Sequence, residues 1–447
     1  MLKHALAITL GAAIVSAVPS ASAEDLMQIY RDAVANDPTL ASARATWQAT
    51  QEVRPQALAN LLPAVNLTGA ATTENFSERL HTDPSLSFSS RFPQYQYTVS
   101  ATQPLFRKQN LVAYDQAKQT VGQSDYTLES ARQDLIVRVS QAYFDVLLAQ
   151  FTIELTESQK AAVSENLAQA KRNFEVGTAT ITDTHEAQAR FDLATSQEIA
   201  AQSDLEIKKR ALQQIVGKFP DRLEPLKPNI ELNPPKPNSM EDWASAASAQ
   251  AYPVRAQEAA VEVAVREIER IRAGHLPTLN LVGNAGRTSQ GLSTTAQVNS
   301  ASDSTNFNIG LQLAIPLYAG GNVNSQVRQA VANREKVQQD LESARRTAAL
   351  SARQSFVGVT NGMAQVKALE AALVSSRSAL DSNKLGYEVG VRINIDVLNA
   401  QQQVFSTLRD LSRARYDTIL NGLRLKSASG TLTDGDVEEI NRLLGPS

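Results

Sequence analysis

Cysteine is absent from the 447-residue chain. That excludes disulfides, and it excludes a lipid attached to a cysteine behind an export signal. Long apolar runs are missing beyond residue 23, where nothing approaches the ~20 apolar residues of a membrane helix. Charge of one sign is missing as well. The 43 Lys and Arg stand against 46 Asp and Glu, a net formal charge of −3, which gives no support for nucleic-acid binding. Histidine is scarce: His4, His81, His185 and His275 lie far apart and lack metal-ligand spacing. No serine sits in a nucleophile-elbow pattern. The "AGGN" at Ala319 lacks phosphate-loop spacing and reads as a strand-to-helix turn. No catalytic set, cofactor site or metal site is expected.

What is present begins with an export signal over residues 1–23. Lys3 supplies the positive start, "ALAITLGAAIVSAV" the apolar middle, and Ala21-Ser22-Ala23 the small-residue cleavage site. The mature chain then begins near Glu24. Export without a helical anchor or disulfides suits a bacterial periplasmic or outer-membrane protein.

The mature chain repeats itself. "LPAVNLTGA" from Leu62 returns as "LPTLNLVGN" from Leu276, and "TQPLF" ending at Phe106 returns as "AIPLY" ending at Tyr318. "LESAR" occurs at Leu128 and Leu341, and Gly217 answers Gly430, both 213 residues apart. The longest echo sets "NFEVGTATITDTHEAQAR" (Asn173 to Arg190) under "GYEVGVRINIDVLNAQQQ" (Gly386 to Gln403). Landmarks in one order at nearly constant spacing define two structural repeats, 24–235 and 236–447. They join at the Pro-rich "EPLKPNIELNPPKPNS", which cannot be a regular helix. Each repeat reads as a short helical piece, two strands around a polar loop, a very long helix, a Gly turn and a returning helix. The strands are expected over about 64–104 and 277–316, and the helical hairpins over about 105–217 and 319–430.

The strands alternate at period two. Tyr95, Tyr97, Val99 and Ala101 oppose Gln96, Thr98, Ser100 and Thr102, and Phe307, Ile309, Leu311, Leu313 and Ile315 oppose Asn308, Gly310, Gln312 and Ala314. Val65 and Leu67 alternate with Asn66 and Thr68, and Leu279 and Leu281 less cleanly with Asn280 and Val282. A half-buried soluble sheet gives the same alternation. The polar connections "SERLHTDPSLSFSSR" and "RTSQGLSTTAQVNSASDSTN" favour external loops of an outer-membrane barrel. Four strands cannot close a barrel, and lipid tolerates no open sheet edge. The chain must therefore share one barrel with copies of itself. Two chains give eight strands and a filled lumen; three give twelve and room for a channel.

From about Leu105 to Phe174 no proline occurs, and glycine only at Gly122. Leu128, Ala131, Leu135, Val139, Ala142, Val146, Ala149 and Ile153 recur at steps of three or four, a coiled-coil period. In the second repeat Leu341, Ala344, Ala348, Ala352, Ser355, Val359, Gly362, Val366, Leu369 and Leu373 do the same. Such helices run roughly 100 Å. Gly177 and Gly390 fit the left-handed position after a helix, and Asp183 and Asp396 fall in the first turn of the returning helix, where a carboxylate suits the macrodipole.

These residues carry a resemblance. "EDLMQIY" (Glu24 to Tyr30), "GHLPTLNL" (Gly274 to Leu281), "IPLYAGGNVNSQVRQA" (Ile315 to Ala330), "GYEVGVRINIDVL" (Gly386 to Leu398) and "LKSASGTL" (Leu425 to Leu432) resemble the TolC-type outer-membrane efflux proteins. The resemblance spans essentially the whole mature chain. It implies a mixed α and β homotrimer in the outer membrane that extends into the periplasm. Each chain lends four strands to a twelve-stranded β-barrel, and its helices build a long α-helical barrel that narrows at the hairpin tips. A periplasmic adaptor (membrane fusion protein) and an inner-membrane transporter dock there, with Gly177 and Gly390 at the docking tips. The family's gate residues match Asp396, Tyr387 and Arg392 on the second hairpin, with Thr182 and Asp183 on the first. The motif departs at Asn399, where well-studied members carry a second acid, so the acidic ring would be single. The expected function is a passive exit duct for drug efflux or type I secretion, not an enzyme. The rival is a periplasmic coiled-coil tether or adaptor, which would need neither two hairpins nor lipid-facing aromatics at Tyr95, Tyr97 and Phe307.

Overall fold

The computed structural model describes residues 23–79, 87–220, 222–228, 230–292 and 301–445. The expected export signal therefore lies, apart from Ala23, outside the described residues, as does His81. Three helices open the chain: α1 (Leu26–Asn36), α2 (Pro38–Gln51) and α3 (Val53–Ala59). Strands β1 (Ala64–Arg79) and β2 (Ser87–Phe106) precede α4 (Lys108–Glu175) and α5 (Ile181–Val216). Next come α6 (Met240–Gln250), α7 (Tyr252–Arg272), β3 (Thr278–Gln290) and β4 (Ser302–Ala314). The chain ends with α8 (Asn322–Glu388), α9 (Asn394–Ala428) and α10 (Asp434–Asn441).

The four strands form one antiparallel sheet in the order β1-β2-β3-β4. The register Leu67↔Val99↔Ala285↔Phe307 puts these four residues on one face. Tyr97, Ile309, Leu311 and Leu313 share that face, and it is bare: Leu67 is 72% and Phe307 76% exposed. The opposite face carries amides and hydroxyls, with Asn284 donating to Asn308 across the strands at 3.0 Å. Among the described residues the outer edges of β1 and β4 have no strand partner within the chain. Among the described residues no helix is long and apolar enough to cross a membrane.

The strands overrun the expected polar loops. Residues 77–79, 87–91, 287–290 and 302–306, expected in loops, lie in the sheet; residues 80–86 and 293–300 lie outside the described residues. Ser and Thr satisfy a β ladder as well as apolar residues do, so the ladder continues after the apolar alternation ends. Outward-facing Arg287 and Asp303 pair across it at 3.0 Å. The start of the first hairpin also moves. Leu105 and Phe106 belong to β2, with Leu105 at the register shift between Pro104 and Phe106, and α4 begins only at Lys108.

α4 runs for 68 residues and α8 for 67, so each is roughly 100 Å long. α5 and α9 return along only part of them. The remaining flank of α4 is covered by α2, α3 and α7, and α7 also packs on α8. This second set of covering helices exceeds the short helical piece expected at the head of each repeat. On α8 the small-residue seam brings α9 close: a Cβ on Gly358 would lie 2.7 Å from Asn421 Nδ2.

The middle of α4 is buried on more than its seam. Ile136, Tyr143, Phe144 and Leu147 are enclosed as fully as Leu135, Val139 and Val146. They meet α1, α9, α10 and the Pro-rich join in the main apolar core. Phe144 stacks on Tyr416, with ring centroids 5.2 Å apart. Each such fully buried side chain contributes about 1.5–3 kcal/mol. The join is strapped down: Leu223 bridges to Glu24, Leu226 to Leu444, and the Tyr143 hydroxyl donates to the Glu224 carbonyl at 2.8 Å. Asp37, 3% exposed, caps α2 through Leu40 N–H and takes Arg138 of α4 at 3.0 Å. Burial alone would push its carboxyl up, but the Arg138 guanidinium and the cap N–H groups hold it below the usual range.

Candidate functional site

The two hairpin tips fold alike along the backbone. α4 ends at Glu175, and Gly177 takes φ 78°; α8 ends at Glu388, and Gly390 takes φ 80°. The Asn173 carbonyl accepts the N–H groups of Thr178 and Ala179 at 2.8 and 3.2 Å. The Gly386 carbonyl accepts those of Val391 and Arg392 at 2.9 and 3.0 Å. These are helix-terminating bonds around a left-handed glycine.

The side chains differ. Thr180 caps α5 in a reciprocal box with Asp183. The Thr180 N–H and hydroxyl donate to Asp183 Oδ2 at 2.9 and 2.8 Å, and the Asp183 N–H donates to Thr180 Oγ at 3.3 Å. Ile393 stands at the N-cap of α9 and offers no side-chain oxygen, although its carbonyl accepts the Asp396 N–H at 3.1 Å. The Asp396 carboxylate makes no capping bond and stands 3.7 Å from Arg392. Arg392 folds back over Gly386, where a Cβ would meet its Cγ at 2.6 Å. The Tyr387 hydroxyl accepts from Asn173 Nδ2 at 3.3 Å, linking the two hairpins. Thr182 is exposed in the first turn of α5. Among the described residues, no bond within the chain joins Arg392 to Asp183. Phe174, Val176 and Ile181 on the first tip, and Leu385, Val389, Val391 and Ile393 on the second, leave apolar side chains exposed.

Higher up, Asn166 of α4 donates to Gln401 of α9 at 3.4 Å. Arg190 of α5 donates from Nη1 to Gln402 Oε1 at 2.7 Å and from Nη2 to Asn399 Oδ1 at 2.8 Å. The sequence reading did not single out Asn173, Arg190 or Gln402. Their partners lie more than two hundred positions away, and no local spacing signals them. Among the described residues no cluster of His, Asp and Glu could hold a metal ion.

The profile of outer membrane efflux proteins matches residues 29–218 and again 243–431. The chain belongs to the outer membrane efflux protein family. It is 34% identical over 442 residues to outer membrane protein TolC of Vibrio cholerae serotype O1, covering 98% of each chain. It is 32% identical over 427 residues to the alkaline protease secretion protein AprF of Pseudomonas aeruginosa, covering 92% of this chain and 86% of that one. The fold matches the Campylobacter jejuni CmeC outer membrane channel with a TM-score of 0.78 at 17% identity, over 94% of this chain and 90% of that one. A member of this family is an outer-membrane exit duct that reaches into the periplasm, and the bare apolar sheet face and long helical hairpins fit that place. The tether reading offers no account of a sheet with one apolar face open.

Proposed function

We propose that three copies of this chain build one passive conduit. The observation that carries the reading is the sheet: among the described residues it has four strands, apolar outside, with both outer edges unpaired. Hydrocarbon cannot satisfy those edge groups, so β4 of one copy must pair with β1 of the next. Three copies give twelve strands, the number that leaves an aqueous lumen. The helices then close a second, α-helical barrel below. Residues 1–23 direct export, and repeats 24–235 and 236–447 arose by duplication; the two stretches matched by the family profile and the matching tip bonds support this.

The hairpin tips, with Gly177 and Gly390 at their turns, dock a periplasmic adaptor and an inner-membrane transporter, which supplies the energy. Tyr387 and Arg392 on the second tip, with Thr182 and Asp183 on a first tip, hold the end shut, and Asp396 forms a single acidic ring at the mouth. Asp183 Oδ1 is not used by the capping box and remains available to a donor from another copy. The cargo is a drug or a secreted polypeptide. Analytical ultracentrifugation in detergent tests the assembly. A trimer is expected; a stable, folded monomer would sink the reading, since its strand edges would face lipid unpaired.

A further inference from the structure

We infer that Arg190 is a latch between the two hairpins of one protomer, holding α9 against α5 and so resisting their separation. The inference rests on reading the tips as a gate, but its evidence is separate. Arg190 lies nine residues into α5, roughly 14 Å from the start of that helix. Its planar guanidinium spans Asn399 and Gln402, which sit one turn apart on α9, at 2.8 and 2.7 Å. Below it the two hairpins are joined through Asn173 and Tyr387 at 3.3 Å, and beside it through Asn166 and Gln401 at 3.4 Å. Those are long bonds between neutral groups. The fork of Arg190 is short and charge-assisted, and it satisfies two acceptors in a fixed geometry. Sliding or tilting α9 along α5 breaks both of its bonds together.

Asn399 thereby gains a role of its own. It faces a cation of the same chain, and its neutral amide makes the latch releasable. A carboxylate at that position would form an ion pair with Arg190 and tighten it. This gives the latch a sign that a merely structural arginine lacks.

Hydrogen exchange on the purified, membrane-assembled protein reads the latch without reference to gating. Arg190→Ala should speed exchange of the amides from Val397 to Gln403 by about tenfold. Arg190→Lys keeps the charge but loses the fork, and should give most of that effect. Asn399→Asp should slow the same amides in the wild-type background and have no such effect beside Arg190→Ala. Unchanged exchange in Arg190→Ala overturns the inference, as does an Asn399→Asp effect equal in both backgrounds. Single-channel conductance in planar bilayers then separates the two readings. Arg190→Ala should raise conductance, as should the double variant Tyr387→Phe, Arg392→Ser. If only the double variant raises it, the gate stands and the latch does not restrain it. If neither raises it while exchange behaves as stated, the gate reading falls and the tie between hairpins remains.

Discussion

The two tips share a backbone and use their side chains differently. Position for position, Thr180 corresponds to Ile393 and Asp183 to Asp396. On the first tip the acid is engaged in capping its own helix. On the second, a single change from hydroxyl to aliphatic residue removes the cap and leaves the acid to Arg392 at 3.7 Å, a weak pair. Asn173 likewise corresponds to Gly386. The asparagine reaches across to Tyr387, whereas the glycine leaves room for Arg392 to fold back. The comparison teaches that the two tips share the turn and divide the work. The first tip spends its acid's Oδ2 on its own helix cap; the second leaves its tyrosine, arginine and acid available for partners outside its own helix.

If that division holds, the largest effects should come from the second tip. Tyr387→Phe with Arg392→Ser should raise single-channel conductance several-fold without unfolding the tube. Each lost bond near water is worth about 1 kcal/mol or less, but the proposed three-fold symmetry would multiply it. Thr180→Ala should leave conductance near wild type, because Thr180 serves only its own helix. Equal conductance changes from the two tips would erase the distinction.

Gly177→Ala and Gly390→Ala form the control, since they touch what the tips share. Both glycines are left-handed, and nothing lies within 4 Å of an added Cβ at either. Each should cost about 1–2 kcal/mol of local stability, and the two should agree. Thermal unfolding followed by hydrogen exchange at each tip measures this. Unequal costs would mean that the turns are not equivalent. Exchanging the caps is the next test down. Thr180→Ile should cost about 1 kcal/mol at the first tip, and Ile393→Thr should return a similar amount at the second. The introduced hydroxyl would also draw Asp396 away from Arg392.

The tips show how far the sequence could be read. A glycine after a helix and an acid in the first turn of the next are local signals, and both features stand where that spacing put them. The long helices were legible because proline is absent from them, and the strands because one face is apolar and the other polar. Legibility failed where a residue's partner is remote or its surroundings uniform. Beyond Phe307 and Tyr95 the outward face of the sheet turns polar, so Ser302 and Ser87 looked like loop while remaining in the ladder. Around Tyr143 and Phe144 the helix is enclosed on several sides by α1, α10 and the Pro-rich join, a belt that a two-helix seam does not foretell. Arg190 had no local mark at all.

The smallest expected effect is also the sharpest discriminator, because it separates short-range from long-range forces. Asp183→Ala removes an acceptor of two hydrogen bonds and a carboxylate at a helix N-terminus, and should cost about 1 kcal/mol. Asp396→Ala removes only the helix-terminus charge and a 3.7 Å pair with an arginine that is 59% exposed. That should cost about 0.5 kcal/mol or less. Salt distinguishes the two. At high ionic strength the Asp396 effect should vanish, because the charges of an exposed pair are screened. The larger part of the Asp183 effect should persist, since a hydrogen bond at contact distance leaves no room for counterions. Hydrogen exchange of the first turns of α5 and α9, at low and high salt, reads both at once. If the Asp396 cost matches that of Asp183 and survives salt, then the second tip has a cap of its own, and the division of labour between the tips is wrong.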